Sequence, residues 1–225
     1  MRFFQSPPEK GERDVEEPRF LNDLHPLDGR HPSLLRRDLS ALIVVDMQND
    51  FLPGGSLAVP RGSEIIPVLN RYIALFHAND IPIIATRDWH PPHHSSFLLQ
   101  GGPWPAHCVA ATFGAEFPDS LKLPSDTLII SKATTQEKDA YSGFDDTPLD
   151  SILRSFGVRR VFIGGMATEH CVLNTARDAL RYRYVTLILE DAVRALDTIP
   201  DGGLRALEEI ARLGATLIRF EMLIA

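Results

Sequence analysis

The segment VRRVFIGGMATEHCVLNTARDAL (158–180) changes character halfway along. Its first part, VRRVFIGG (158–165), holds a short, continuous apolar run of the kind found in a strand buried on both faces. Two glycines close it. Beyond them Val172, Ala176, Ala179 and Leu180 recur at helical spacing. Strand, tight turn and helix in that order form the repeating unit of a parallel α/β sheet.

The same rhythm extends in both directions. Apolar runs recur at ALIVV (41–45), IPIIA (81–85), TLII (127–130), VTLIL (185–189) and ATLIRF (215–220). Helical patterns fall between most of them. Ile65, Val68, Leu69, Tyr72, Ile73 and Phe76 make one stripe; Leu149, Ile152, Leu153 and Phe156 make another. Thr147-Pro148 predicts an N-cap followed by proline at the first helical position, and Gly157 a C-terminal stop. A last helix is expected from about Gly203 to Leu213, ending at Gly214. The fold class is therefore α/β, a three-layer α-β-α arrangement around a mostly parallel six-stranded sheet, Rossmann-like in outline. Residues 40–225 form one domain by this reading. Residues 1–39, rich in Pro, Arg, Asp and Glu, form an N-terminal extension with one short helix expected around Pro32–Arg37. That extension could be disordered, wrap the domain or contact another subunit of a homo-oligomer.

In open α/β sheets, sites form beyond the carboxyl ends of the strands. Here the first run ends in Asp46, the second in Arg87-Asp88-Trp89-His90, the third in Ser131-Lys132 and the fourth in GGMATEHC (164–171). An aspartate, an Asp-x-His, a lysine and a cysteine thus share one edge. Thr168 is a candidate N-cap, which places Cys171 in the first turn of a helix. There the dipole and free N–H groups would lower the thiol pKa and could hold an oxyanion. Asp46 could take the thiol proton and return it to a leaving group, with Lys132 holding the carboxylate. An ordinary Asp46–Lys132 ion pair fits the spacing equally. RDWHPPHH (87–94) is either part of a metal site or a polar loop rich in histidine. Cys108, in a loop after His107, is a structural thiol by default.

Bulk properties narrow the class. The 225 residues carry a net charge of −7, which argues against a nucleic-acid partner. No apolar run approaches the ~20 residues needed to span a bilayer, so no membrane partner is expected. The N-terminal stretch lacks an apolar core of signal-peptide length, and two cysteines are too few for a disulfide framework. Free thiols and a cytoplasmic location are the simpler expectation.

The segments VVDMQNDFLPGGSLAVP (44–60), TRDWHPPHHSSF (86–97), WPAHCVAATFGAEF (104–117), ISKATTQEKDAYSGF (130–144) and GGMATEHCVLNTA (164–176) resemble the isochorismatase-like cysteine hydrolases. The Asp-x-His, WPxHC and DAYSGF elements point to the nicotinamidase branch. The resemblance implies a triad of Asp46, Lys132 and Cys171 and an oxyanion hole from the backbone N–H groups of Ala167 and Cys171. It also implies a cis peptide bond between Met166 and Ala167. It implies one divalent metal on Asp88, His90 and His107, with His94 ranked below these and His93 facing solvent. Zinc is the first expectation, with iron or manganese behind it. Phe51, Trp104 and Tyr141 match positions that wall the substrate pocket. The implied activity is hydrolysis of nicotinamide to nicotinic acid and ammonia through a Cys171 thioester, in NAD salvage, with pyrazinamide as a further substrate. The metal would hold the pyridine nitrogen. Two alternatives stand beside it: another hydrolase of the superfamily, acting on a ureido, carbamoyl or enol-ether substrate, and a non-enzymatic metal or redox sensor using Cys171. Three features depart from the family pattern. Ala133 stands where a glycine commonly follows the lysine, Ala110-Ala111 replace Gln-Gly, and the N-terminal extension is longer than in most members.

Overall fold

Each of the six apolar runs forms a strand. In the computed structural model, which describes residues 35, 37 and 39–224, these are β1 (Ser40–Val45), β2 (Ile83–Asp88), β3 (Leu128–Lys132), β4 (Arg160–Met166), β5 (Val185–Arg194) and β6 (Thr216–Ile218). They lie in one sheet of order β3-β2-β1-β4-β5-β6. All five pairings are parallel, which sharpens the expectation of a mostly parallel sheet. The chain winds outward from β1 to β3, then returns to β4 and winds outward the other way. The crevice between the carboxyl ends of β1 and β4 is therefore the topological switch point, where ligands bind in such sheets.

Alternate residues of a strand face opposite sides, and the helices cover both. Ala41, Ile43 and Val45 share a core with Leu149 and Leu153 of α2 (Leu149–Ser155), Ala176 and Ala179 of α3 (Leu173–Arg181), and Ala206 and Ile210 of α4 (Gly202–Arg212). On the other face lies α1 (Ile66–Ala78), whose Phe76 packs edge-to-face on Phe162 of β4 with ring centroids 4.9 Å apart. A short helix, α5 (Glu221–Ile224), follows β6. The crossover from β2 to β3 carries two short 3-10 turns, at 98–100 and 113–115, and no α-helix. It is the segment that supplies most of the site.

Three local expectations shift. The strands run past the apolar stretches, so Asp88 and Lys132 are the last residues of β2 and β3 and pair in register. The runs at 127–130 and 215–220 form the sheet edges, and Ile129 is 42% exposed, so burial on both faces holds only for the inner strands. Thr147 does cap α2, its Oγ1 accepting the Leu149 N–H at 3.3 Å, but the first helical residue is Leu149 rather than Pro148. Gly157 and Gly214, at φ +71° and +109°, follow α2 and α4 as expected. The short helix expected at 32–37 lies outside the described residues, apart from Leu35 and Arg37. Among the described residues no helix is long and apolar enough to cross a membrane.

Candidate active site

The register of the sheet assembles the site. Asp46 follows β1 directly and takes a left-handed conformation, φ +48°, and its N–H bonds the Thr86 carbonyl at 3.2 Å. Thr86 and Asp88 lie two apart in β2 and so face the same way. Thr86 Oγ1 donates to Asp46 Oδ1 at 2.6 Å. The backbone of Asp88 is held by Gln48, a fully buried side chain whose Oε1 accepts its N–H and whose Nε2 donates to its carbonyl, both at 2.8 Å.

Lys132 is the hub. Its ammonium is buried and hydrogen-bonds Asp88 Oδ1, the Ala140 carbonyl at 3.0 Å and Cys171 Sγ at 3.5 Å. Asp46 Oδ2 is 3.0 Å from the same nitrogen as an ion pair, and the Asp46 carboxyl also meets the Cys171 thiol as a hydrogen-bond partner. Lys132 has three protons for four neighbours, so the Asp46 oxygen shares the ammonium charge with the other three. A ligand atom from each of Asp46, Asp88 and Cys171 lies within 4.8 Å of the others. Residues separated by up to 125 positions thus meet within 4.8 Å.

Electrostatics at the cluster correct one expectation. Thr168–Val172 is a π-helical turn, with Ala167 and not Thr168 at the N-cap position, and α3 begins only at Leu173. Cys171 is buried, and burial pushes its thiol well above the ordinary range. The Lys132 charge opposes the shift, while Asp46 and Asp88 add to it. The free site therefore rests as a thiol, since removal from water outweighs the helix terminus. Burial likewise raises Asp46, against Lys132, which makes it the better proton acceptor. Burial alone would lower Lys132, but the two carboxylates hold it well above its usual value.

Asp88, His90 and His107 each offer a ligand atom, all within 4.8 Å of one another. His90 Nδ1 contacts the His107 carbonyl at 3.0 Å, and His107 Nδ1 the Pro105 carbonyl at 2.8 Å. A carbonyl can only accept, so both protons sit on Nδ1 and both Nε2 lone pairs are free, as metal-binding histidines require. Burial first, and then the neighbouring His107, lower His90 to about 3, keeping it neutral. The donor set fits a divalent cation. His94 belongs to a second such group, with His90 and Asp139, whose ligand atoms also lie within 4.8 Å of one another, but its Nε2 contacts the Lys138 carbonyl at 3.1 Å and its Nδ1 the Ser96 hydroxyl at 2.7 Å. Its ring lies against His90 at 4.3 Å. His93 is exposed and Cys108 buried.

Phe51, Trp104 and Tyr141 line one cavity with Cys171, Ala167, Asp88 and His107. It encloses about 350 Å³ not filled by atoms, part of it open to solvent. Trp104 Nε1 donates to the Tyr141 hydroxyl at 2.9 Å, fixing both rings. The Met166–Ala167 peptide bond at its edge is cis. Sequence reasoning missed several groups here: Thr86, Gln48, Leu196, His170 and Asp139, whose Oδ1 is 4.0 Å from His90 Nε2. Thr86 was within reach, since period two places it on the face of Asp88 once β2 extends that far. His170 was not, because a π-turn does not project side chains as an α-helix does.

A doubly wound parallel sheet with a buried thiol, carboxylate and ammonium at its switch point, beside side chains that could hold a metal ion, defines an α/β protein built for nucleophilic chemistry. The isochorismatase domain model matches residues 40–222, and the chain belongs to that family. Among its relatives is the nicotinamidase of Escherichia coli (strain K12), 34% identical over 79% of this chain and 93% of that protein. Among solved structures, the pyrazinamidase of Pyrococcus horikoshii in complex with zinc is 53% identical, with a TM-score of 0.78 over 80% of this chain and 99% of that one. The PnC1 protein of L. infantum in complex with nicotinate is 35% identical, also with a TM-score of 0.78, over 84% and 96%.

Proposed function

We propose that this chain hydrolyses nicotinamide to nicotinic acid and ammonia, with Cys171 as nucleophile, Asp46 as proton carrier and Lys132 as the charge that holds them together. The observation that carries the reading is the Lys132 ammonium, 3.0 Å from Asp46 Oδ2 and 3.5 Å from Cys171 Sγ. Cys171 itself lines a cavity whose wall also includes Asp88 and His107. The reading is supported by the nicotinamidase and pyrazinamidase relatives.

The chemistry follows from the geometry. Asp46, whose carboxyl meets the Cys171 thiol as a hydrogen-bond partner, takes the thiol proton as sulfur attacks the amide carbon. Transfer during attack suits a thiol whose resting form is neutral. The backbone N–H groups of Ala167 and Cys171 receive the negative charge that develops on oxygen. Asp46 returns the proton to the departing amine, ammonia leaves and a Cys171 thioester remains. Asp46 then takes a proton from water as its oxygen attacks the thioester carbon, and it returns that proton to the Cys171 sulfur as the C–S bond breaks and nicotinic acid is released. Asp88, His90 and His107 would hold a divalent metal, zinc by preference. Bound there, that ion would supply a Lewis acid for the pyridine nitrogen and so help orient the carboxamide toward the thiol. His94 supports the ligand set by packing against His90 and is not a ligand in this proposal. Phe51, Trp104 and Tyr141 wall the ring.

Residues 40–225 are proposed as the hydrolase domain and 1–39 as an extension, and the enzyme is placed in the cytoplasm, acting in NAD salvage. The deciding assay is ammonia release from nicotinamide by metal-loaded protein, with Cys171→Ala as control. No release from the wild type removes the activity; release that persists in the control removes the nucleophile.

A further inference from the structure

We infer that Glu169, two residues before the nucleophile, is a positioning residue. It clamps the loop 195–201 so that Leu196 forms a fixed wall of the substrate cavity. The inference rests on the hydrolase reading for its kinetics but not for its structural test.

The loop leaves β5 at Arg194 and reaches α4 at Gly202. Leu196 lines the cavity together with Cys171, Ala167 and Tyr141. Glu169 Oε2 accepts the Leu196 N–H at 3.2 Å and Oε1 accepts the Asp197 N–H at 2.6 Å. One carboxylate thus holds two consecutive amides, and such charge-assisted bonds are roughly twice as strong as neutral ones. Asp197 passes the constraint on, its Oδ1 accepting the Gly203 N–H in the first turn of α4 at 3.0 Å. At 197–200 packing does little of this work, since all four residues are exposed. A second cavity, about 610 Å³ not filled by atoms and partly open to solvent, lies against Thr198, Ile199 and Gly202. Ile199 is 61% exposed. Asp197 and Asp201 both take left-handed conformations, at φ +51° and +60°. A loop with open space beside it and backbone angles of this kind keeps its place through polar ties, and Glu169 supplies two of them.

Because Glu169 and Cys171 share the π-turn, the wall at Leu196 and the nucleophile are held from one short segment. The clamp then sets how closely the ring of the substrate is enclosed, and so binding more than the chemical step.

The test compares Glu169→Gln, Leu196→Ala and the double variant in the metal-loaded full chain. Glu169→Gln is isosteric, and its side-chain NH2 can no longer accept a backbone N–H. KM for nicotinamide is expected to rise about tenfold, the loss of one charge-assisted bond, with kcat within about threefold. In the Leu196→Ala background the same change is expected to move KM by less than about twofold, because the wall it positions is already gone. Amide hydrogen exchange across 195–198 is expected to quicken in Glu169→Gln, whatever the substrate proves to be. Unchanged exchange, or an equal effect on KM in both backgrounds, overturns the clamp. A wild type that releases no ammonia while exchange quickens overturns the substrate and leaves the clamp standing.

Discussion

Lys132 has three N–H donors and four polar neighbours: Asp88 Oδ1, the Ala140 carbonyl, Cys171 Sγ and Asp46 Oδ2. The Asp46 carboxyl also meets the Cys171 thiol as a hydrogen-bond partner, which equips it to receive a proton. Asp46→Asn is expected to lower kcat about 10²- to 10⁴-fold with KM nearly unchanged, the range for loss of a general acid–base. Steady-state kinetics check it. The pH profile has a definite sign. Asp46 must be ionised to accept, and burial raises its pKa above 3.8. Activity therefore falls with pH through a limb above 3.8, and a limb at or below that value contradicts the assignment. Lys132→Met leaves buried carboxylate charge uncompensated and is expected to destabilise the protein by about 3–5 kcal/mol. Asp46 already has a raised folded pKa, so protonation favours the folded state as pH falls, and the deficit should be smaller at pH 5 than at pH 8. Urea denaturation at the two pH values measures this.

At the scale of elements, the two alanines that stand where the family pattern has glycine occupy similar backbone positions with different surroundings. Ala111 and Ala133 take φ +61° and +51°, a region that costs an L-residue about 1–2 kcal/mol and glycine little. Ala111 is exposed, while Ala133 is buried at 6%. Ala111→Gly relieves the backbone at the cost of some chain entropy, and a net gain of about 0.5–1 kcal/mol is expected. Ala133→Gly also gives up a buried methyl, which offsets the relief and predicts a change near zero. Thermal unfolding of the two variants distinguishes them. Gly165 shows the opposite case. At φ +127°, a Cβ there would stand 2.0 Å from the Val45 carbonyl oxygen, in the pairing that sets Asp46 beside the nucleophile turn. Gly165→Ala is expected to cost about 3 kcal/mol or more and to abolish activity with it.

Across the whole molecule, the β2–β3 crossover, which has no α-helix, carries both His90 and His107 along with Trp104. A metal held there ties this long connection to the sheet through Asp88, so loss of the ion should register in global stability. Chelation is expected to lower the melting temperature, by about 2–4 °C for each kcal/mol of binding free energy lost at this chain length. Zinc should restore it. His107→Ala should abolish both the shift and its restoration, as calorimetry with and without chelator would show. A chelator-insensitive wild type excludes the ligand set.

Much of this was legible in the sequence, because it follows from periods that short-range sterics impose. The apolar runs at 41–45 and 158–165 specify strands, the stripes after them specify helices, and the alternation specifies a parallel sheet with polar groups at its carboxyl edge. The motifs around Asp46, Asp88, Lys132 and Cys171 marked the residues that meet there. What the sequence left open was set by register and burial, which are properties of the assembled sheet. Pairing of Asp88 with Lys132 across β2 and β3 decided that the lysine serves two carboxylates and not one. Removal of Cys171 from water reversed the pKa shift that a helix terminus alone suggests. The grip of Glu169 on residues 27 and 28 positions further along the chain exists only because β5 and the π-turn end side by side. Spacing along the chain is fixed by covalent geometry, whereas desolvation and long-range contact depend on what else occupies the same volume, and only the folded molecule determines that.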